Sequence, residues 1–238
     1  MYKQIAENKR RTVVIIMGFV LMIGVIAGLF AWFYRDPWIA VWTIVVAIIY
    51  ALIQYYFAGN IAMAMTGAKE IEKKDNPRLY NIVENLSITT GLPMPKVYII
   101  DDKAPNAFAT GRDPKHAAVA ATTGLLDIMN DKELTAVMAH EMSHVKNYDI
   151  RVSMIVFGLV CVVGLISDFG FRFMYYGNRR RDNEGSPVGY VLILIVAILA
   201  PIFAGIAQMA VSRQREFLAD ASAVNITRYP EGMMDALK

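Results

Sequence analysis

Four stretches of this chain carry no Asp, Glu, Lys or Arg: Thr12 to Tyr34, Pro37 to Ala68, Val152 to Ser167 and Gly185 to Ser212, of 23, 32, 16 and 28 residues. A helix that crosses a bilayer needs about 20 apolar residues. Three runs reach that length, and the composition agrees: of 238 residues, 56 % are hydrophobic and 19 % charged. Disorder is excluded, because a disordered chain is poor in apolar residues and rich in charge. The pattern predicts a mainly α membrane protein with about four transmembrane or membrane-dipping helices, at 12–34, 37–57, 152–167 and 187–211.

Charge is divided along the chain in a way that orients it. From Ala58 to Asp149 there are 10 basic and 12 acidic side chains, so this segment is net −2 and the rest of the chain holds +5 of the overall +3. Lys3, Lys9, Arg10 and Arg11 precede the first run, Arg151 the third, and Arg213 and Arg215 follow the fourth. By the positive-inside rule the N-terminus lies in the cytosol, the link Arg35-Asp36-Pro37 lies on the far side, and Trp32, Tyr34 and Trp38 sit at the interface. The first run exceeds a signal-peptide core and reads as an uncleaved signal anchor. The linker behind the third run holds Arg172, Arg179, Arg180 and Arg181. It therefore favours either a spanning hairpin overruled by stronger signals or one that dips in without crossing, and both keep Asp149 and Arg213 on one side. No basic patch with interleaved aromatics marks a nucleic-acid surface. Cys161 is the only cysteine, which excludes an intrachain disulfide.

The segment 58–150 is soluble in composition and reads as mixed α and β. Arg78 to Leu86 has helical spacing, Lys96 to Ile100 (KVYII) resembles a buried strand, and His116 to Thr122 (HAAVAAT) forms a small-residue strand. The charge-free run beyond Phe57 can break at Gly59-Asn60, tilt, or run on as a stalk. A helix is expected from Asp131 to Tyr148, with Asn130 and Glu133 as its capping box.

That helix carries His140-Glu141-Met142-Ser143-His144, two of the chain's three histidines. Positions four apart lie about 40° apart around a helix, so both imidazoles face one ion. Zn²⁺ suits two imidazoles and an oxygen ligand, with a fourth position left for water. Glu141, beside the first histidine, is placed to take a proton from that water. For the third ligand the candidates are His116 and, better placed, Glu216. Glu216 and Asp220 lie four apart in SRQREFLAD, directly after the fourth run, so Asp220 can accept a hydrogen bond from a histidine ring.

HEMSH followed by Asn147 and Asp149, then SRQREFLAD, with NAFATG at Asn106 to Gly111 and ATTGLL at Ala121 to Leu126, resembles the HtpX-type membrane metalloproteases, relatives of the CAAX prenyl proteases. The resemblance runs to about Ala223. It implies a zincin-like α+β protease domain in the cytosol, split into 58–150 and 212–238, with one Zn²⁺ held by His140, His144 and Glu216. It further implies Glu141 as base, with Asp220 and Asn147 supporting the ligands. Asn106, Ala107, Phe108 and Ala109, with Ala118 and Ala120, would form the strand edge that holds substrate. An exposed edge offers main-chain hydrogen bonds indifferent to sequence, as a protease requires. Candidates for stabilising the oxyanion are Arg213, Arg228, Tyr229 and His116.

The activity so implied is hydrolysis of misfolded or damaged polypeptides of the bacterial cell membrane, a quality-control and stress-response role. The alternatives are a CAAX-type processing protease and, from another class, a non-catalytic peptide-binding membrane scaffold, against which the intact Glu141 argues. The partners expected are polypeptide substrates and the lipid bilayer. Chains of this family usually extend beyond the point that matches Lys238.

Overall fold

A computed structural model describes residues 2–156 and 213–236. They fall into two compact units, one of 2–12, 53–154 and 213–236, the other of 13–52 with 155–156. The expected spans at 187–211 and most of 152–167, with the linker between them, lie outside the described residues.

Two long helices come first, α1 (Tyr2–Tyr34) and α2 (Pro37–Met65). Ile15, Phe19, Ile23 and Ala27 form one buried face of α1 at four-residue spacing, while Val14, Met17, Leu21 and Val25 are exposed. α2 exposes Trp42, Val46, Ile49, Leu52 and Ile53. Among the described residues one helix, Ala40–Met65, is long and apolar enough to cross a membrane by length and composition. Gly59 and Asn60 do not break it. α2 runs on to Met65, eight residues beyond the limit at 57 that bilayer thickness suggests.

The mixed segment forms a four-stranded sheet. Its strands are β1 (Lys69–Glu70), β2 (Lys96–Ile100), β3 (Ala107–Gly111) and β4 (Ala117–Thr122), in the spatial order β1-β2-β4-β3. β2 and β4 are parallel, and the outer pairs are antiparallel. β4 is thus flanked on both sides. Ala118 and Ala120, expected on the substrate edge, have their backbones committed to β2 and β3. The edge on that side is β3 alone.

Helices cover the sheet. α3 (Pro77–Thr90) starts at Asn76, whose side chain accepts from Leu79 N–H, with Pro77 opening the helix, and it stops at Gly91 in the left-handed region. α4 (Thr123–Ile128) is one short turn-and-a-half after β4. α5 (Asp131–Asn147) carries the expected capping box, with Asn130 Oδ1 accepting from Lys132 and Glu133 N–H and Glu133 accepting from Asn130 N–H at 2.8 Å. A further helix, α6 (149–156), follows at once. α7 (Arg213–Thr227) and α8 (Pro230–Ala236) complete the protease unit.

The core gathers Leu79, Val83 and Leu86 of α3, Val97 of β2, Val119 and Ala121 of β4, Leu134, Met138 and Met142 of α5, and Ala223 of α7. Each fully buried Leu or Met contributes about 1.5–3 kcal/mol, so α5 is fixed along its whole length. Arg78 clamps its start, donating to the carbonyls of Leu126 and Met129 and to Asp131.

Candidate active site

Because Leu134, Met138 and Met142 anchor one side of α5, His140 and His144 are turned to another, where both are partly buried. Their Nε2 atoms lie 3.1 Å apart. Glu216, in the first turn of α7, brings Oε2 to 3.4 Å from His140 Nε2 and 3.6 Å from His144 Nε2. The other nitrogen of each ring is engaged by a carboxylate: His140 Nδ1 with Asp220 Oδ1 at 2.8 Å, His144 Nδ1 with Asp149 Oδ2 at 3.1 Å. An ionised carboxylate only accepts, so in a neutral ring it holds the proton on Nδ1 and leaves Nε2 as the lone pair that can ligate a metal.

In that form two lone pairs and a carboxylate oxygen converge. Such a cluster is stabilised by a cation at its centre. The spacing fits one: ligands at about 2.0–2.1 Å in a tetrahedron around Zn²⁺ lie roughly 3.3 Å from one another, and the observed separations are 3.1, 3.4 and 3.6 Å. These three residues form the one group among the described residues whose donor atoms could hold a metal together.

Glu141 lies next in the chain but reaches in another direction. Its carboxylate lies close to the backbone N–H of Ala109 on β3, which favours the charged form. Burial pushes its pKa up, the charge of His144 and the Ala109 N–H oppose this, and the net value is about 7. That value suits a group that takes up and releases a proton near neutrality. Burial disfavours charge on His144, but the Asp149 hydrogen bond and the charges of Glu141 and Glu216 outweigh it, and its pKa is raised.

The edge strand is positioned by its own alternation. Thr122 N–H donates to Asn106 O at 2.9 Å, and β3 pairs with β4 as Phe108 with Ala120 and Thr110 with Ala118. Backbone groups of 106, 108 and 110 thus face β4, and those of 107, 109 and 111 face outward. At the far end Gly59 of α2 packs on β3, a Cβ there meeting Gly111 Cα and Thr110 Oγ1 at 3.3 Å. The outward edge that remains is 107–109, beside Glu141.

The family model for peptidase family M48 matches residues 73–238. The chain belongs to peptidase family M48. Among the relatives of this M48 peptidase, the protease HtpX homolog of Tropheryma whipplei (strain Twist) is 56 % identical over 237 residues, covering all of this chain and 81 % of that one. The HtpX homolog of Limosilactobacillus fermentum is 46 % identical over 246 residues, covering all of this chain and 82 % of the relative. The resemblance seen in the motifs therefore holds over the full chain. Among solved structures, Ste24p of S. mikatae shares the fold, with a TM-score of 0.55 at 21 % identity over all of this chain and 59 % of that one. This M48 peptidase is a hydrolase of peptide bonds.

Several expected site residues stand elsewhere. Asn147 is buried at the end of α5, but its contact is a carbonyl that accepts from Asn8; the residue that supports His144 is Asp149. His116 lies in a short 3₁₀ turn (Pro114–His116), bonded to Asp113 and Arg112 and apart from the histidine pair. Tyr229 stacks on Lys132, eight residues and about 12 Å along α5 from His140. Arg228 follows the end of α7, twelve residues and roughly 18 Å of helix from Glu216. Neither Tyr229 nor Arg228 can reach an oxyanion at the histidines. The Arg213 side chain lies outside the described residues.

Asp149 is the residue that sequence reasoning missed. Its signal was its place, five residues after His144, but it reaches back only because Tyr148 adopts the left-handed region (φ 63°) and closes α5 by donating its N–H to the carbonyls of His144 and Val145. That conformation is unusual for a residue with a Cβ. Here the Tyr148 ring is packed between Lys9 and Arg151, at 4.8 and 4.9 Å.

Proposed function

We propose that this M48 peptidase is a zinc-dependent endopeptidase embedded in the bacterial cell membrane by about four helices, with its active site at the cytosolic surface, where it degrades misfolded or damaged membrane proteins. The observation that carries the reading is the convergence of His140 Nε2, His144 Nε2 and Glu216 Oε2, with Glu141 close to the adjoining strand edge. The apolar surfaces of α1 and α2 support membrane residence, because an exposed apolar face of this extent is not stable in water.

His140, His144 and Glu216 would hold one Zn²⁺, which when bound polarises a substrate carbonyl and acidifies a water. The chain's own residues do the rest. The outward edge of β3 at 107–109 aligns an extended peptide through main-chain hydrogen bonds. Glu141, poised near neutrality, takes a proton from the attacking water and delivers it to the departing amine. Asp220 and Asp149 keep both imidazoles in the tautomer that ligates.

The resemblance of the sequence motifs to the relatives of the CAAX prenyl proteases favours one alternative substrate, a prenylated C-terminus. The experiment that separates the two offers the zinc-loaded enzyme an unfolded membrane protein and a farnesylated peptide side by side. Cleavage of the first at internal bonds, with no release from the second, is expected; cleavage confined to the lipidated peptide overturns the quality-control reading.

A further inference from the structure

The first turns of α1 belong to the protease unit, not to the apolar one. Asn8 and Thr12, one turn apart, are both buried, at 5 % and 3 % exposure, although neighbouring Lys9, Arg10 and Arg11 are exposed. The amide of Asn8 spends both its hydrogens on the site: Nδ2 donates to Asp149 Oδ1 at 2.7 Å and to the carbonyl of Asn147 at 2.9 Å. The other oxygen of the same Asp149 carboxylate, Oδ2, faces His144 Nδ1. Asp149 is itself buried, with Arg215 Nη1 3.9 Å from Oδ1. A continuous path thus runs from the N-terminal turn of α1 through Asn8 and Asp149 to His144.

A carboxylate that supports a ligand must be fixed in rotation as well as in place, since turning about its Cβ–Cγ bond moves Oδ2 off the ring nitrogen. Two anchors fix it. His144 is one, and Asn8 is the other, because a bond from an amide to a buried anion is strong and directional. The Asn147 carbonyl ties the same amide to the end of α5, so Asn8 is held against the helix that carries the histidines. We infer that Asn8 is a positioning residue for the metal site, and that the cytosolic start of the first helix is a structural part of the active centre, more than 130 residues ahead of the histidine motif in the chain.

The inference rests on the proposed metal site and extends it to a residue that touches neither metal nor substrate. The test uses the full chain in detergent micelles, with zinc affinity measured by competition with a chromophoric chelator and ligand geometry by the visible spectrum of the Co²⁺-substituted protein. Asn8→Leu keeps the size and removes both donors. It is expected to weaken zinc binding about three- to tenfold and to shift the Co²⁺ bands, while Asp149→Asn weakens it about ten- to a hundredfold. The double variant is expected to be no weaker than Asp149→Asn alone, since both act on one path. Thr12→Val, on the same buried face with a hydroxyl that has no hydrogen-bond partner among the described residues, is expected to bind zinc as the parent does. Should Asn8→Leu fail to fold, Asn8→Ser, too short to span both acceptors, is read instead with the same expectation. Zinc affinity within twofold of the parent and an unaltered Co²⁺ spectrum would overturn the inference, as would additive losses in the double variant. A parent chain that binds no zinc would instead overturn the metal reading itself.

Discussion

The backbone N–H of Ala109 lies close to the carboxylate of Glu141 and favours its charged form, so the edge strand and the proposed base are neighbours before any substrate arrives. Ala109 N–H faces away from β4, and removing it leaves the sheet pairing intact. Ala109→Pro removes that N–H from beside Glu141 and from the outward edge, and is therefore expected to lower kcat/KM by about threefold or more, on the order of one ordinary hydrogen bond, while thermal unfolding shifts little. A variant with full activity would show that this N–H has no part in the reaction.

Gly111 closes the same strand at φ 133°, and a Cβ there would stand 2.3 Å from the carbonyl oxygen of His116. Backbone strain of this kind costs about 1–3 kcal/mol before the clash is counted. Gly111→Ala is expected to destabilise the protein by at least about 2 kcal/mol in denaturant unfolding. Wild-type stability in that variant would mean that β3 does not end as described.

Asp220 engages His140 as Asp149 engages His144. Asp220→Ala frees the ring to rotate and to place its proton on Nε2, where it cannot ligate. The expected result, read by chelator competition, is a loss of about 10- to 100-fold in zinc affinity. Unchanged affinity would mean that the ring is held by packing alone.

On β1, Glu70 accepts from Lys96 Nζ at 2.8 Å and from Tyr98 Oη at 3.1 Å. The Lys96 hydrogen bond, against a weaker opposing effect of burial, holds the Glu70 carboxyl below its ordinary value of 4.5. A depressed carboxylate stabilises the fold above that ordinary value and loses its contribution as pH falls through the lower, folded value. Both side chains are well exposed, so the effect stays below about 1 kcal/mol. Glu70→Gln is expected to cost a few tenths of a kcal/mol at pH 7 and progressively less as pH falls below 4.5, in paired urea titrations.

Much of this site was legible because its signals are local. Asn130 and Glu133 define the start of α5 through their own hydrogen bonds, the four-residue spacing of His140 and His144 needs only helix geometry, and KVYII forms β2 where its β-branched residues place it. Glu216 and Asp220 were readable for the same reason once a helix was expected there. What escaped depended on partners distant in sequence. Whether β4 is an edge depends on β2 crossing to its far side, which no property of Ala117 to Thr122 records. α2 continues through Gly59 because a glycine there packs on Gly111, a contact made in the folded chain. Asp149 became a ligand support through a left-handed tyrosine, a conformation for which tyrosine gives no sign.

In the proposed reaction Glu141 moves the proton while taking no part in holding the metal. Glu141→Gln keeps the shape but cannot accept that proton. With zinc restored and an unfolded membrane protein as substrate, the variant is expected to bind one Zn²⁺ per chain as the parent does and to lose cleavage by at least about 100-fold, the lower reach of general acid–base catalysis. Equal cleavage by Glu141→Gln and the parent would contradict it.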